Sequence, residues 1–192
     1  MSQREQNKAE KLARITAAAQ SLFSEKGISE VTTNQVAVKA GVATGTLFLY
    51  AKTKGELLLL AQNASYNAAH IAGIEKSSSI ADVKRALIAL LTPIVFCNRE
   101  HVENGRTYLR EVVFGEGLDQ HRQSAMALMA GTEDQVAAIL QAKGKIRLEA
   151  SRSIAKNIMA TLFLTLSSPL NVDATNETIV AEIEKQISLV LG

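Results

Sequence analysis

The sequence predicts an all-α protein: an N-terminal three-helix unit built on a helix-turn-helix, followed by a larger C-terminal helical domain. Alternating Val/Ile/Thr runs bounded by turn residues, the mark of strands, are nearly absent. Two prolines in 192 residues and an abundance of Ala and Leu favour helix. Apolar residues recur at three- and four-residue steps between breaks marked by Gly or Ser. A hydrophobic content of 47% excludes a disordered chain, and the length suffices for one large or two small domains with a sizeable core.

A first helix is expected over residues 8–26, where Leu12, Ile15, Ala19, Leu22 and Phe23 form an inward stripe and Gly27 ends the run. Lys8, Lys11 and Arg14 lie on its other face, where solvated charges are the ordinary expectation.

Residues 31–57, VTTNQVAVKAGVATGTLFLYAKTKGEL, carry the densest information. Thr32 and Gln35 form a T-x-x-Q capping box, in which the hydroxyl accepts from the third amide and the Gln side chain reaches back. The helix that begins there turns Val36, Ala37 and Ala40 inward and stops at Gly41, which can enter the left-handed conformation of a sharp reversal. Val42 packs into the turn. A second helix from Ala43 or Thr44 puts Leu47 inside and spreads Thr44, Thr46, Phe48, Leu49 and Tyr50 over its remaining faces. This is the helix-turn-helix pattern, whose second helix enters the DNA major groove. On spacing alone the same residues also suit any small αα-hairpin of a helical domain.

Thr53 caps a third N-terminus, and Lys54 opposes the dipole of the helix it opens, a cost that makes sense if lysine and helix end both face a phosphate. That helix should run over residues 54–75 and join the first unit to the body. After Ser77, Ser78 and Ser79, residues 80–98 read as a central helix, apolar nearly all round in its second half, in which Pro93 is expected to introduce a kink and open room beside it. Further helices are expected over residues 105–117 and 119–143. The last two, over residues 150–167 and 176–191, carry Ile154, Ile158 and Leu162, and Ile179, Ile183 and Ile187. Their apolar faces need cover, either inside one subunit or from a second copy.

Net charge is only +2, but residues 1–55 hold eight basic against four acidic side chains (+4), leaving 13 against 15 (−2) for the remainder. That asymmetry suits a protein that meets phosphate with one end. The single cysteine, Cys97, excludes an internal disulfide, and the polar start MSQREQNKAEKLAR supplies no apolar core for a signal peptide. The longest apolar run, residues 86–97, is too short to span a bilayer, so a cytoplasmic protein with no membrane partner is expected. His70, His101 and His121 lie far apart without metal-ligand spacing, and no nucleotide loop or hydrolase motif occurs. Cys97 and His101 are one helical turn apart, an arrangement far more often packing than catalysis. No metal, cofactor or enzymatic activity is expected.

Residues 15–37, ITAAAQSLFSEKGISEVTTNQVA, and 40–58, AGVATGTLFLYAKTKGELL, resemble the N-terminal module of the TetR family of transcriptional regulators. That module shares a small-rich helix ending L-F-x-x-K-G, a Thr-capped second helix, A-G-V, G-T-L-[FY]-x-Y, and a Lys before an acidic residue and Leu. The likeness covers about the first third of the chain. It implies a DNA-binding domain at 1–54 and a ligand-binding and dimerisation domain at 55–192. Thr32 and Thr33 would sit over phosphate, Thr44, Gly45 and Thr46 nearest bases and backbone, and Tyr50 and Lys54 would clamp phosphate. Three departures stand out: Phe48 lacks the hydroxyl of the frequent Tyr, Ala51 replaces a usual Phe and should loosen the contact between module and body, and Ala43 stands where a capping Ser is common, leaving Thr44 to cap.

The resemblance further implies a homodimer formed by pairing the last two helices, through Ile154, Ile158, Leu162, Ile179, Ile183 and Ile187, and binding a double-stranded operator. The expected function is that of a repressor relieved by a small, largely apolar effector. Asn63, Tyr66, Cys97, His101, Tyr108, Arg110, Glu111 and Phe114 lie at plausible distances from the proline helix to line its pocket. Two alternatives stand beside this: an activator or repressor without a small ligand, whose body binds a protein, and a helical enzyme that happens to contain a helix pair.

Overall fold

The computed structural model describes residues 2–115, 117 and 119–192; Met1, Leu118 and Glu116, the last inside the helix expected over 105–117, lie outside them. Among the described residues the secondary structure is nine α-helices and one 3₁₀ turn, with no strand.

Helix α1 (Gln3–Glu30) starts five residues before the expected position because Ser2 and Glu5 form a capping box of their own. The Glu5 amide donates to Ser2 Oγ at 3.3 Å and the Ser2 amide to Glu5 Oε2 at 2.7 Å. These bonds hold the Glu5 carboxyl below its ordinary range. Gly27 does interrupt α1, at φ 79° and ψ 160°, but a further turn continues to Glu30. Any Cβ there would lie 2.5 Å from His101 Cε1, so the site needs Gly for space as well as for angle. Buried Asn104 bridges the break, accepting from the Ile28 amide at 2.7 Å and donating to the Phe23 carbonyl at 2.6 Å. Backbone groups freed by the interruption are thereby satisfied from the body.

Helices α2 (Thr33–Ala40) and α3 (Thr44–Leu47) close a core with α1 in which Ile15, Ala19, Val36 and Leu47 are all fully buried. Helix α4 (Lys54–Ser78) then runs into the body and packs along α5 (Val83–Arg99). Leu87, Leu90, Leu91, Ile94 and Val95 of α5 are buried, as its all-round apolar pattern requires. The helix passes through Pro93 as one continuous element, and the Thr92 hydroxyl donates to the Ile88 carbonyl at 2.7 Å one turn back. Helices α6 (Val102–Phe114) and α7 (Gln120–Ala142) cross α4, and α8 (Leu148–Ser167) packs on α7. A 3₁₀ turn (Pro169–Asn171) leads to α9 (Asn176–Leu191), which lies on α5 and α8. Arg99, 7% exposed, fixes the approach to α9 by donating to Asn171 O at 3.0 Å, Ala174 O at 2.6 Å and Asn176 Oδ1 at 3.0 Å. No helix among the described residues is long and apolar enough to cross a membrane.

Candidate nucleic-acid interface and body grooves

Both halves of the Thr32 capping box are present: the Gln35 amide donates to Thr32 Oγ1 at 3.2 Å, and the Thr32 amide to Gln35 Oε1 at 2.8 Å. Gly41 ends α2 at φ 64°, in the left-handed region, and its amide donates to Val38 O at 3.1 Å. The four-residue α3 is shorter than the helix expected. Amides of Leu49 and Tyr50 bond to the carbonyls of Thr46 and Leu47, so the turn tightens to three-residue spacing before it ends at Ala51.

Leu47 pins α3 to the core and the opposite side of the turn is open. Gly45 is exposed, and a Cβ placed on it would meet nothing within 4 Å. Thr44 does not cap the helix: Ala43 occupies the cap without a side-chain bond, and the Thr44 hydroxyl donates instead to Asn34 Oδ1 at 3.1 Å. That bond ties the start of α3 to α2 through Asn34, a residue that spacing did not single out. Thr32 is exposed while Thr33 and Thr46 are half-buried at the rim.

Tyr50 and Lys54 are both engaged within the module. The Tyr50 hydroxyl donates to Lys8 O at 3.4 Å, and Lys54 Nζ donates to Val31 O at 3.1 Å and Ser29 O at 3.4 Å. The lysine charge that opposes the dipole of α4 is thus placed on carbonyls at the C-terminal end of α1, which supplies a structural reason for it. Ala51 does not loosen the joint between module and body. It is 1% exposed, and next to it the His121 ring of α7 meets the Tyr50 carbonyl at 2.6 Å.

A family model described as "Bacterial regulatory proteins, tetR family" matches residues 15–61, a span that holds the α1 stripe from Ile15 onward, both caps of α2, the open α3 and the start of α4. This is a tetR-family DNA-binding module. The chain that carries it is a DNA-binding transcriptional regulator. No curated protein matches the sequence. Among solved structures, a TetR transcriptional regulator from Rhodococcus sp. RHA1 superposes with a TM-score of 0.72 at 19% identity, over 96% of this chain and 97% of that one. FadR from Thermus thermophilus, a TetR-family transcriptional repressor in complex with lauroyl-CoA, gives 0.70 at 19% identity over 94% and 92%. FadR from Bacillus subtilis in complex with stearoyl-CoA gives 0.64 at 19% identity over 94% and 97%. At these identities the likeness establishes a common fold for the whole chain.

The tetR-family module sits on a body whose interior is more completely filled than the proline suggested. Tyr66, Cys97 and Tyr108, with Gln62 and Asn98, surround a void of about 10 Å³, the room of a single water. Tyr66 and Tyr108 lie 6.4 Å apart between ring centroids, and the Tyr66 hydroxyl pairs with Thr132 Oγ1 at 2.9 Å. Burial pushes the Tyr66 phenol up to about 12 and the Cys97 thiol up to about 11, and raises Tyr108 as well. These three side chains are packing, because their own bulk occupies the space they were expected to line.

The remaining candidates are dispersed. Asn63 donates to His121 O at 2.8 Å and accepts from the Tyr108 hydroxyl at 2.9 Å, at the edge of an open groove of about 700 Å³ between α4 and α7. His70 lines the same groove; its Nε2 is buried without a partner, and burial depresses its pKa. His101 lines a polar cleft of about 270 Å³ between α1 and the body. Glu111 pairs with buried Arg122 at 3.7 Å. Only Arg110 and Phe114 face a larger space, a groove of about 920 Å³ along α6 and α8 whose walls include Arg106, Leu109, Val113, Phe163 and Leu164.

The expected pairing residues require a correction. Ile158, Leu162, Ile179, Ile183 and Ile187 are at most 2% exposed within one subunit, and Ile154 is half-buried, so five of the six have no area to offer a second copy. Their periodic stripe faces the protomer's own core, where each fully buried side chain contributes about 1.5–3 kcal/mol. The outward faces of the same helices carry Ala160 and Leu164 on α8 and Ala181 and Leu189 on α9, all exposed.

Proposed function

We propose that the protein is a homodimeric transcriptional repressor that holds an operator through paired α3 elements and releases it when a largely apolar effector occupies the body. The observation that carries DNA contact is Gly45, a glycine in a helical turn whose missing Cβ faces only open space, so no packing within the chain calls for it. Thr32 and Thr33 at the N-terminus of α2, Thr44 and Thr46 beside Gly45, and Tyr50 and Lys54 beyond it form the rim of that surface, in reach of a phosphate backbone.

The α6–α8 groove supports the effector reading. Its apolar walls and two arginines, Arg106 and Arg110, suit a chain with an anionic end, and two structures of the same fold are complexes with acyl-CoA. Dimerisation through the outward faces of α8 and α9 would lay a second copy beside Leu164 and help to roof the groove. The test uses the full chain, a duplex it selects from a random-sequence pool, and stearoyl-CoA as probe. Operator affinity should fall 5- to 150-fold on saturation, and the duplex should weaken acyl-CoA binding by the same factor. A DNA complex untouched by acyl-CoAs and free fatty acids would favour a second reading, in which Phe114, 80% exposed, and Leu164, 72% exposed, dock a protein partner.

A further inference from the structure

We infer that His121 is a positioning residue for DNA recognition: its imidazole caps the C-terminal end of the recognition turn from the body, so that α7 sets the angle at which α3 is presented. The inference rests on the reading of α3 as the DNA-contacting element.

A helix leaves its last carbonyls without intrahelical partners. The recognition turn ends at Ala51 and the chain restarts as α4 at Lys54, so the Tyr50 carbonyl finds no amide one turn on. His121 Nε2 lies 2.6 Å from that oxygen. A carbonyl only accepts, so Nε2 carries the hydrogen. The bond joins residues 71 positions apart and crosses from the body into the DNA module.

The backbone that carries the ring is itself held on several sides. Asp119 caps α7 by accepting from the His121 amide at 2.8 Å and the Arg122 amide at 3.1 Å. Asn63 of α4 donates to the His121 carbonyl, and the hydroxyl of buried Tyr108 on α6 fixes that amide in turn. Arg122, 4% exposed, bonds Gly117 O and pairs with Glu111 of α6. The imidazole is therefore placed by α4, α6 and α7 together, and a movement of α6 or α7 carries the end of α3 with it. Without this bond the end of the recognition turn is held only from within the module, by Leu47, the Thr44–Asn34 and Tyr50–Lys8 bonds and the short connection to α4. It would then spend part of its time at angles that cannot engage two half-sites, and apparent affinity falls by the competent fraction.

The experiment compares the full-length wild type with His121→Leu, which fills the space without a donor, and His121→Gln, which restores an N–H. Affinity is measured for the selected duplex across a salt series, well below each melting temperature. His121→Leu is expected to bind about tenfold more weakly, about 1.4 kcal/mol, with an unchanged slope of log K against log salt because no phosphate contact is removed. His121→Gln should recover most of the loss. Wild-type affinity in His121→Leu, or no recovery in His121→Gln, overturns the inference. Failure of the wild type to select any duplex overturns the DNA-binding reading instead. Should His121→Leu not fold, nitrogen-correlated NMR of the wild type decides: a His121 Nε2–H protected from solvent exchange in the DNA complex is expected, and its absence overturns the capping role.

Discussion

Gly45→Ala separates the demands of folding from those of DNA contact. Gly45 is the second residue of α3, in helical backbone, and the added methyl would meet no atom within 4 Å. Glycine in a helix costs about 0.5–1 kcal/mol relative to alanine, through the backbone entropy it loses on folding. With no steric penalty to offset that gain, the variant should be more stable by roughly this amount, which in a chain of this size raises the melting temperature by about 1–4 °C. On DNA the same methyl stands where the backbone of α3 is proposed to approach most closely. Affinity for the selected duplex should fall at least about tenfold, or about 1.4 kcal/mol. Thermal unfolding followed by circular dichroism and a fluorescence anisotropy titration suffice to measure both. A stabilised variant that binds DNA as well as the wild type would refute the proposed approach, and a destabilised one would refute the view that the Cβ direction is empty.

Lys54→Ala should weaken binding to all duplexes alike and flatten the salt slope by about 0.9 if the lysine meets a phosphate; it should also cost about 0.5–1.5 kcal/mol of stability, since Nζ now holds Val31 O and Ser29 O. An unchanged slope with reduced stability would leave Lys54 a purely structural role. Alkaline conditions should destabilise the fold from about pH 9 upward. Burial raises Cys97 from 9.0 to about 11 and Tyr66 from 10.0 to about 12, so the unfolded chain gives up these protons first, and stability, complete below those unfolded values, falls by about 1.4 kcal/mol per pH unit for each group. Urea unfolding that is flat between pH 8 and pH 11 would contradict the burial. Ile183→Glu should abolish cooperative folding, because it places a charge in the protomer core. Ala181→Glu with Leu189→Glu should melt near the wild type yet scatter light as a monomer, and a persistent dimer would move the interface off the outward face of α9.

Local chemistry made the N-terminal module legible. A capping box and a glycine reversal are set by residues three or four apart, and the bonds at Thr32, Gln35 and Gly41 form as those residues require. The same S-x-x-E signature stands at Ser2–Glu5, yet the polar residues after it carry no apolar stripe to mark a helix. The pairing residues failed for a different reason. Periodicity reports that Ile179, Ile183 and Ile187 share an apolar face, but which surface covers that face is a matter of tertiary packing, and here the cover is α5 and α8. The pocket failed because helical order places Tyr66, Cys97 and Tyr108 near one another without saying whether their side chains fill the gap between them. His121 carried no motif, and only the Asp119 cap two residues before it marks where α7 begins.

The filled interior and the tied recognition turn together narrow how a signal can cross this protein. A ligand near Pro93 would first have to displace Tyr66, Tyr108 and Cys97, which leave a void of only about 10 Å³ between them, at a cost of several buried contacts. A ligand in the α6–α8 groove displaces nothing comparable and touches the face of α6 that carries Arg110 and Phe114. Glu111, the residue between Arg110 and the buried face, holds Arg122, and Arg122 follows His121, which holds Tyr50. Its carboxyl also stands 3.5 Å from the Cβ position of Gly55 in the first turn of α4. Groove and recognition turn are thus separated by one ion pair and one hydrogen bond. Glu111→Gln should therefore uncouple effector from operator while leaving the affinity of each measured alone within a few fold, whereas a full effector response in that variant would place the route through α4 alone.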